Sequence, residues 1–206
     1  MDKFNGEEVL VIAREYIEEI INRFKFGLIT SQNEILNNAI NKHSFMLPRE
    51  KAENDPAYKQ IIPYAVIKFN DELFMLKRSK EQAEERLHNK LSLGIGGHIN
   101  PVDYSDKKNN IIINGLLREL SEEVKIPHEF VTRFIGYIND DNTEVGRVHL
   151  GALFEIETQD KSIVIKENNM MVGSWETLGN LIKQVEYLET WSKIALDYYL
   201  KVEETI

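Results

Sequence analysis

A mixed sheet flanked by helices is the fold class this sequence predicts, and three observations carry it. Two β-rich runs, residues 62–69 (IPYAVIKF) and 72–79 (ELFMLKRS), are separated by Asn70 and Asp71, a hairpin signal. Residues 111–124 place Ile113, Leu116, Leu117, Leu120 and Val124 in the spacing of one helix face. Two further β-rich runs, residues 130–138 and 147–157, are joined by the polar turn NDDNTEVG. Strands and helices interleaved in this way pack as layers around one core. The length of 206 residues, 42% of them hydrophobic, suits one medium-sized domain with a small appendage.

Along the chain, residues 9–13 (VLVIA) read as a short strand or the start of a helix. Ile17, Ile20 and Ile21 give residues 16–24 helical spacing. Ser31 followed by Glu34 resembles a capping box and opens a helix through about Asn41. Residues 47–60 are polar with two prolines and read as a connection. A boundary near residue 60 therefore separates a partly helical N-terminal extension, residues 1–60, from a main domain, residues 61–206. Within that domain, residues 81–88 are a charged loop or short helix, and residues 91–99 (LSLGIGGHI) a strand ending in glycines. Residues 162–166 form another short strand, and residues 181–199 a closing helix through Trp191, Ile194, Ala195 and Tyr198.

Composition removes several classes of function. The chain has no cysteine, which excludes disulfides, thiolate zinc sites and cysteine nucleophiles. A formal net charge of -9 argues against nucleic-acid or anionic-membrane partners. No stretch approaches the roughly 18 apolar residues of a membrane span, so a soluble cytoplasmic protein is expected. An anionic small substrate stays compatible, because a bound cation reverses the local field.

The chemistry concentrates in residues 94–126 (GIGGHINPVDYSDKKNNIIINGLLRELSEEVKI). Glu119, Glu122 and Glu123 stand at i, i+3 and i+4 of the expected helix, where like charges repel unless a cation lies among them. At about 100° per residue, Glu119 and Glu123 share one flank of the apolar stripe and Glu122 turns further towards solvent. Hard carboxylate oxygens suit Mg²⁺, and a carbonyl of the glycine turn can add a ligand where Gly96 and Gly97 leave room. The plain alternative is a solvated acidic face. Gly94 and Gly96 also begin a dinucleotide-type G-x-G-x-x-G, but Ile99 occupies its last position, so that reading is rejected.

This segment resembles the Nudix box: G, five residues, E, seven residues, then R-E-U-x-E-E-x-G-U, with U bulky and aliphatic. Arg118, Glu119, Leu120, Glu122, Glu123 and Ile126 match at the right spacing, and Gly97 matches the opening glycine. Asp103 follows after five residues where the family has glutamate, but fourteen residues rather than seven then precede Arg118. Counting back without an insertion puts Asn110 at the first acid. Lys125 stands where the pattern has its second glycine. Residues 55–64, 85–87 and 94–100 are similar to a bacterial subgroup of long Nudix proteins.

The resemblance implies an α/β/α sandwich with a mixed sheet, preceded here by a helical extension. It implies a phosphoanhydride pyrophosphohydrolase, dependent on Mg²⁺ or Mn²⁺, acting on a nucleoside diphosphate linked to another moiety. Arg118, Glu119, Glu122 and Glu123 are then the catalytic set, and Gly97, Glu119, Glu122 and Glu123 the metal ligands. Arg78, Arg86 and His98 are the candidate substrate contacts, each weighed against a solvated strand end or a turn cap. Glu144 and Glu167 lie in or near candidate loops for a general base, against a reading as surface charge. Tyr64, Phe69 and Trp175 are aromatic enough to stack a base but fit sheet packing better. The extension is expected to cover the site or to form a homodimer contact. A non-catalytic nucleotide-binding sensor is the competing class, and an isomerase or transferase on the same fold a third.

Overall fold

The computed structural model describes residues 4, 6–78, 90–104, 110–166 and 171–204, and of Arg78 the backbone alone. In chain order its elements are β1 (Glu8–Ala13), α1 (Glu18–Arg23), β2 (Phe26–Ile29), α2 (Asn33–His43), β3 (Ser44–Pro48), α3 (Arg49–Asn54), β4 (Tyr58–Phe69) and β5 (Glu72–Arg78). There follow β6 (Leu91–Ser92), β7 (Gly94–Gly96), α4 (Ile111–Glu123), β8 (Val124–Lys125), β9 (Val131–Asp140), α5 (Glu144–Arg147) and β10 (His149–Glu157). The chain closes with β11 (Val164–Ile165), β12 (Met171–Thr177), α6 (Leu178–Lys183) and α7 (Thr190–Glu203). Ten of these strands belong to one sheet, while β8 and β11 pair separately. The large sheet is mixed. The hairpin of β4 and β5 is antiparallel. β4 and β10 run the same way: Gln60 N–H donates to Val148 O at 2.8 Å, and Thr158 N–H to Lys68 O at 2.9 Å. The expected α/β class with a mixed sheet and helices is the one observed.

The chain divides into two compact units. The first contains Met1–Tyr64, Gly96–Arg118 and Ile135–Leu153. Here β1 pairs antiparallel with β3 and with the start of β4, in register Val11↔Gln60. Val9, Leu10, Val11 and Ile12 are all fully buried. Four consecutive buried residues suit a strand covered on both faces, which decides the strand-or-helix question left open at residues 9–13. The N-terminal 60 residues are therefore not simply helical: three strands and three α-helices share them, together with the start of β4.

Two local expectations differ from the structure. α2 begins at Asn33 behind Gln32, without a side-chain cap, so Ser31 and Glu34 form no capping box. The Asn33 amide instead donates to Ile135 O at 2.9 Å. Residues 47–60 are not a bare connection, because α3 forms within them. Ala52 on α3 joins Val9, Val11 and Leu47 in one buried cluster, so tertiary burial holds a helix too short to stand alone.

Lys59, from the same polar stretch, is fully buried. Its ammonium donates to Asn139 Oδ1 and Asp141 Oδ1, both at 2.7 Å, to Gly146 O at 2.8 Å and to His149 O at 3.1 Å. Burial lowers the Lys59 pKa from its ordinary value, against the raising pull of Asp141. Arg14 pairs with Asp141 as well. α5 lies inside the turn that these bonds hold. Thr143 caps it by accepting from Gly146 N–H at 3.0 Å.

The second unit contains Ala65–Ile95, Glu119–Phe134 and Phe154–Ile206. The hairpin expected at Asn70 and Asp71 forms, with Phe69 opposite Glu72 and Asn70 at φ 51°. β12 pairs along the whole of β5, from Met171↔Arg78 to Thr177↔Glu72. Gly173 is required there, since a Cβ would lie 2.2 Å from the Phe74 ring. Trp175 packs against Phe74, with ring centroids 5.2 Å apart, in the sheet-packing role the sequence favoured. The closing helix is two helices, α6 and α7, with a 3₁₀ turn at Val185–Tyr187 between them. No helix among the described residues is long and apolar enough to cross a membrane.

Candidate active site

The glycine turn starts where β7 ends. A Cβ on Gly96 would lie 2.5 Å from the Pro63 carbonyl oxygen, so only glycine fits. Gly97 and His98 follow, and Ile99 O accepts from Leu10 N–H at 2.9 Å. The Asn100 side-chain amide donates to Glu8 O at 2.8 Å and to Glu7 Oε1 at 3.1 Å. The turn is thus tied to the start of β1 by bonds from both its backbone and its side chains.

Beyond it, a 3₁₀ turn at Pro101–Tyr104 buries Asp103. Arg118 grips that carboxylate with two prongs, Nε to Oδ1 and Nη2 to Oδ2, both at 2.9 Å. Nη2 also donates to His98 O at 2.7 Å, so one guanidinium joins the acid to the glycine turn. Asn100 N–H donates to Asp103 Oδ2 and the Asn114 amide to Asp103 O, both at 2.8 Å. The helix comes this close because residue 115 is glycine. A Cβ there would lie 2.9 Å from Ile99 Cγ1 and 3.3 Å from Asp103 Oδ2. Two parallel charge-assisted bonds fix orientation as well as distance.

This geometry decides between the two alignments of the motif. Asp103 is the acid that meets Arg118, across the longer loop. Asn110 instead caps α4, its Oδ1 accepting from Ile113 N–H at 2.9 Å. Within the longer loop, residues 105–109 lie outside the described ones.

α4 extends from Ile111 to Glu123 as expected, with Ile112, Leu116 and Leu120 buried on it and Val124 buried just beyond it. Ile112 takes a buried place expected of Ile113, which is half-buried. Glu119 and Glu123 are half-buried and Glu122 is exposed, in keeping with the flank read from the spacing. The exit of the helix explains Lys125. The chain passes straight into β8, which pairs antiparallel with β11 in register Lys125↔Val164. Glu123 O accepts from Lys166 N–H at 2.9 Å, and Ser121 O accepts from the Lys166 ammonium. Strand pairing satisfies the helix end, so no left-handed glycine is needed there.

Among the candidate substrate contacts, the Arg78 backbone ends β5 opposite Met171. The Arg78 side chain and all of Arg86 lie outside the described residues, as does Glu167. Glu144 is exposed at the start of α5. Tyr64 is buried in the core. His98 turns its ring towards two residues that no sequence spacing joins to it. His98 Nε2 lies 3.8 Å from Glu53 Oε1 of α3. The rings of His98 and His149 meet edge-on, with centroids 5.7 Å apart. Burial, then Arg49, His149 and Arg118, lowers the His98 pKa to about 2, so its ring is neutral. Glu53, His98 and His149 are far apart in the chain, and helical histidine spacing, the signal the sequence offers for such a group, does not connect them. An open cleft of 560 Å³ also belongs to the first unit, lined in part by Arg14, Asp141 and Arg147.

No family model matches the chain. Protein YmaB of Bacillus subtilis (strain 168) is 40% identical over 154 residues, covering 72% of this chain and 75% of that protein. The crystal structure of Tm1382, provisionally assigned as a Nudix hydrolase, superposes with a TM-score of 0.75 at 33% identity, covering 95% of this chain and all of that one. A bifunctional NMN adenylyltransferase/ADP-ribose pyrophosphatase from Francisella tularensis, solved with AMP and a manganese ion, superposes with a TM-score of 0.50 at 17% identity. It covers 69% of this chain and 41% of that one, a likeness of fold alone.

Proposed function

Because this chain belongs to the Nudix hydrolase family, we propose that it hydrolyses the phosphoanhydride bond of a nucleoside diphosphate linked to another moiety, with Mg²⁺ or Mn²⁺. The observation that carries this reading is the two-pronged grip of Arg118 on Asp103, which restores the lengthened motif and holds α4 against the glycine turn. Glu119, Glu122 and Glu123 are the metal ligands, with the Gly97 carbonyl as a further one. Their all-oxygen character suits a hard cation, and the half-burial of Glu119 and Glu123 on one flank favours a shared ion. When bound, the metal polarises a phosphoryl oxygen and lowers the pKa of a coordinated water.

The remaining chemistry belongs to the chain's own side chains. A carboxylate of the set not fully engaged with metal accepts the proton of the attacking water. The new P–O bond forms on one phosphorus, the bridging P–O bond breaks, and the second phosphoryl group leaves with the bridging oxygen. Arg78 and Arg86 are the cations proposed to meet its phosphates. Arg118 acts by positioning, since its guanidinium is spent on Asp103 and the His98 carbonyl. We place the enzyme in the cytoplasm, acting on a small nucleotide-like molecule without nucleic-acid or membrane partners, in keeping with its acidic charge.

The test is to incubate the protein with Mg²⁺ and a panel of nucleoside triphosphates, ADP-ribose, nucleotide sugars and dinucleoside polyphosphates, and to resolve the products. Turnover should vanish with chelator and fall at least about 100-fold in Glu122→Gln or Glu123→Gln. Absence of metal-dependent turnover across the panel would sink the hydrolase reading. The longer loop between Asp103 and Arg118 motivates a second reading, a nucleotide sensor, and tight binding without turnover would favour it.

A further inference from the structure

We propose a second metal site, separate from the helix carboxylates, in which Glu53, His98 and His149 hold a borderline transition ion of the Zn²⁺ class. The ligand atoms of these three residues all lie within 4.8 Å of one another. They come from α3, from the turn just after Gly97 and from the start of β10, all within the first unit. An ion here joins an N-terminal helix to the glycine turn.

Three observations single this group out. His149 Nδ1 lies 2.7 Å from Val145 O, which can only accept, so that nitrogen donates and the carbonyl fixes the ring. Imidazoles that bind metal are oriented in this way by a carbonyl or carboxylate behind them. His98 Nε2 is buried and makes no hydrogen bond among the described residues, and at 3.8 Å its approach to Glu53 Oε1 is too long for one. A buried nitrogen left in that state costs free energy that a coordinated cation recovers. Arg49, the cation beside the site, is already matched by Glu7 at 2.8 Å as well as by Glu53 at 3.4 Å.

The donor set names the class of ion. Two imidazole nitrogens and one carboxylate oxygen suit Zn²⁺, Co²⁺ or Ni²⁺, whereas the all-oxygen set of α4 suits Mg²⁺. Three protein ligands leave a fourth position for water in tetrahedral geometry. Glu53 and His98 keep 24% and 15% side-chain exposure, so the group lies near the surface of the unit.

The experiment uses the full chain carrying both Glu122→Gln and Glu123→Gln, stripped with chelator and titrated calorimetrically with Zn²⁺ alone. Co²⁺ serves as a spectroscopic probe, since its visible bands report nitrogen ligation. One equivalent should bind in this background. Adding Glu53→Gln or His149→Gln should weaken binding by roughly 100-fold or more and abolish the cobalt bands. Circular dichroism checks folding, and the partly exposed Glu53 provides a variant that spares the core if His149→Gln does not fold. No Zn²⁺ uptake by the folded chain would overturn the proposal, as would uptake that Glu53→Gln leaves unchanged. The outcome is independent of the hydrolysis assay, because the background already lacks the helix carboxylates.

Discussion

The Lys59 ammonium and His98 Nε2 are two buried basic atoms in the same unit, and the fold treats them in opposite ways. The Lys59 ammonium has four oxygen acceptors between 2.7 and 3.1 Å. The His98 Nε2 has no hydrogen bond among the described residues and faces a carboxylate oxygen 3.8 Å away. A saturated buried charge is a structural tie, whereas an under-bonded nitrogen among ligand-type atoms is a place for a ligand. His149 links the two. Its carbonyl accepts from Lys59, while its ring stands edge-on to His98. The tie therefore helps to place a ligand of the proposed site.

That contrast is open to direct attack. The largest effect is expected from Lys59→Met, which leaves Asp141, Asn139 and two carbonyls without their shared donor. It should destabilise the chain by about 3–5 kcal/mol in urea denaturation, and added metal should not restore it. The His98 group should behave in the reverse sense. Zn²⁺ at about a hundred times its dissociation constant should stabilise the chain carrying Glu122→Gln and Glu123→Gln by about 2.7 kcal/mol, with no gain once Glu53→Gln is added. Equal gains in both proteins would erase the distinction.

A third buried tie sharpens the comparison. Arg118→Lys keeps the charge but loses the fork on Asp103, and should cost about 1–3 kcal/mol. A Lys variant as stable as the wild type would mean that charge alone suffices there. The smallest effect is a pH dependence. Burial pushes the Asp141 carboxyl up, but bonds and charge from Lys59 and Arg14 outweigh it and hold the group below the usual carboxylate range. A depressed folded-state pKa gives stability that is complete above the unfolded value, about 4, and is lost as pH falls through the folded one. Melting temperature should therefore drop on acidification below about pH 4, and Asp141→Asn should flatten that limb.

Much of the fold was legible wherever a local period decided it. The α4 stripe, the hairpin at Asn70 and the strands β4, β5, β9 and β10 all follow from spacing or turn chemistry. α3 and β12 were not legible. α3 is a six-residue helix held through Ala52 by residues far away, and β12 is a half-exposed strand with Gly173 as its third residue. Neither has the apolar repeat that identifies an element from its own residues. The chemical motif divides in the same manner. Glu119, Glu122 and Glu123 were readable because helix spacing sets them on adjacent turns of α4. The choice between Asp103 and Asn110 was not, because an insertion breaks the count and only contact with Arg118 restores it.

By itself, then, the sequence determined the class of fold, the family resemblance and the acidic helix, since these depend on neighbours within a few turns of chain. Tertiary structure decided which acid Arg118 holds, why Lys125 needs no glycine, why a lysine is buried, and how Glu53, His98 and His149 come together. Each of these depends on groups 15 to 96 positions apart in the chain, a distance over which composition and periodicity carry no information and packing carries all of it.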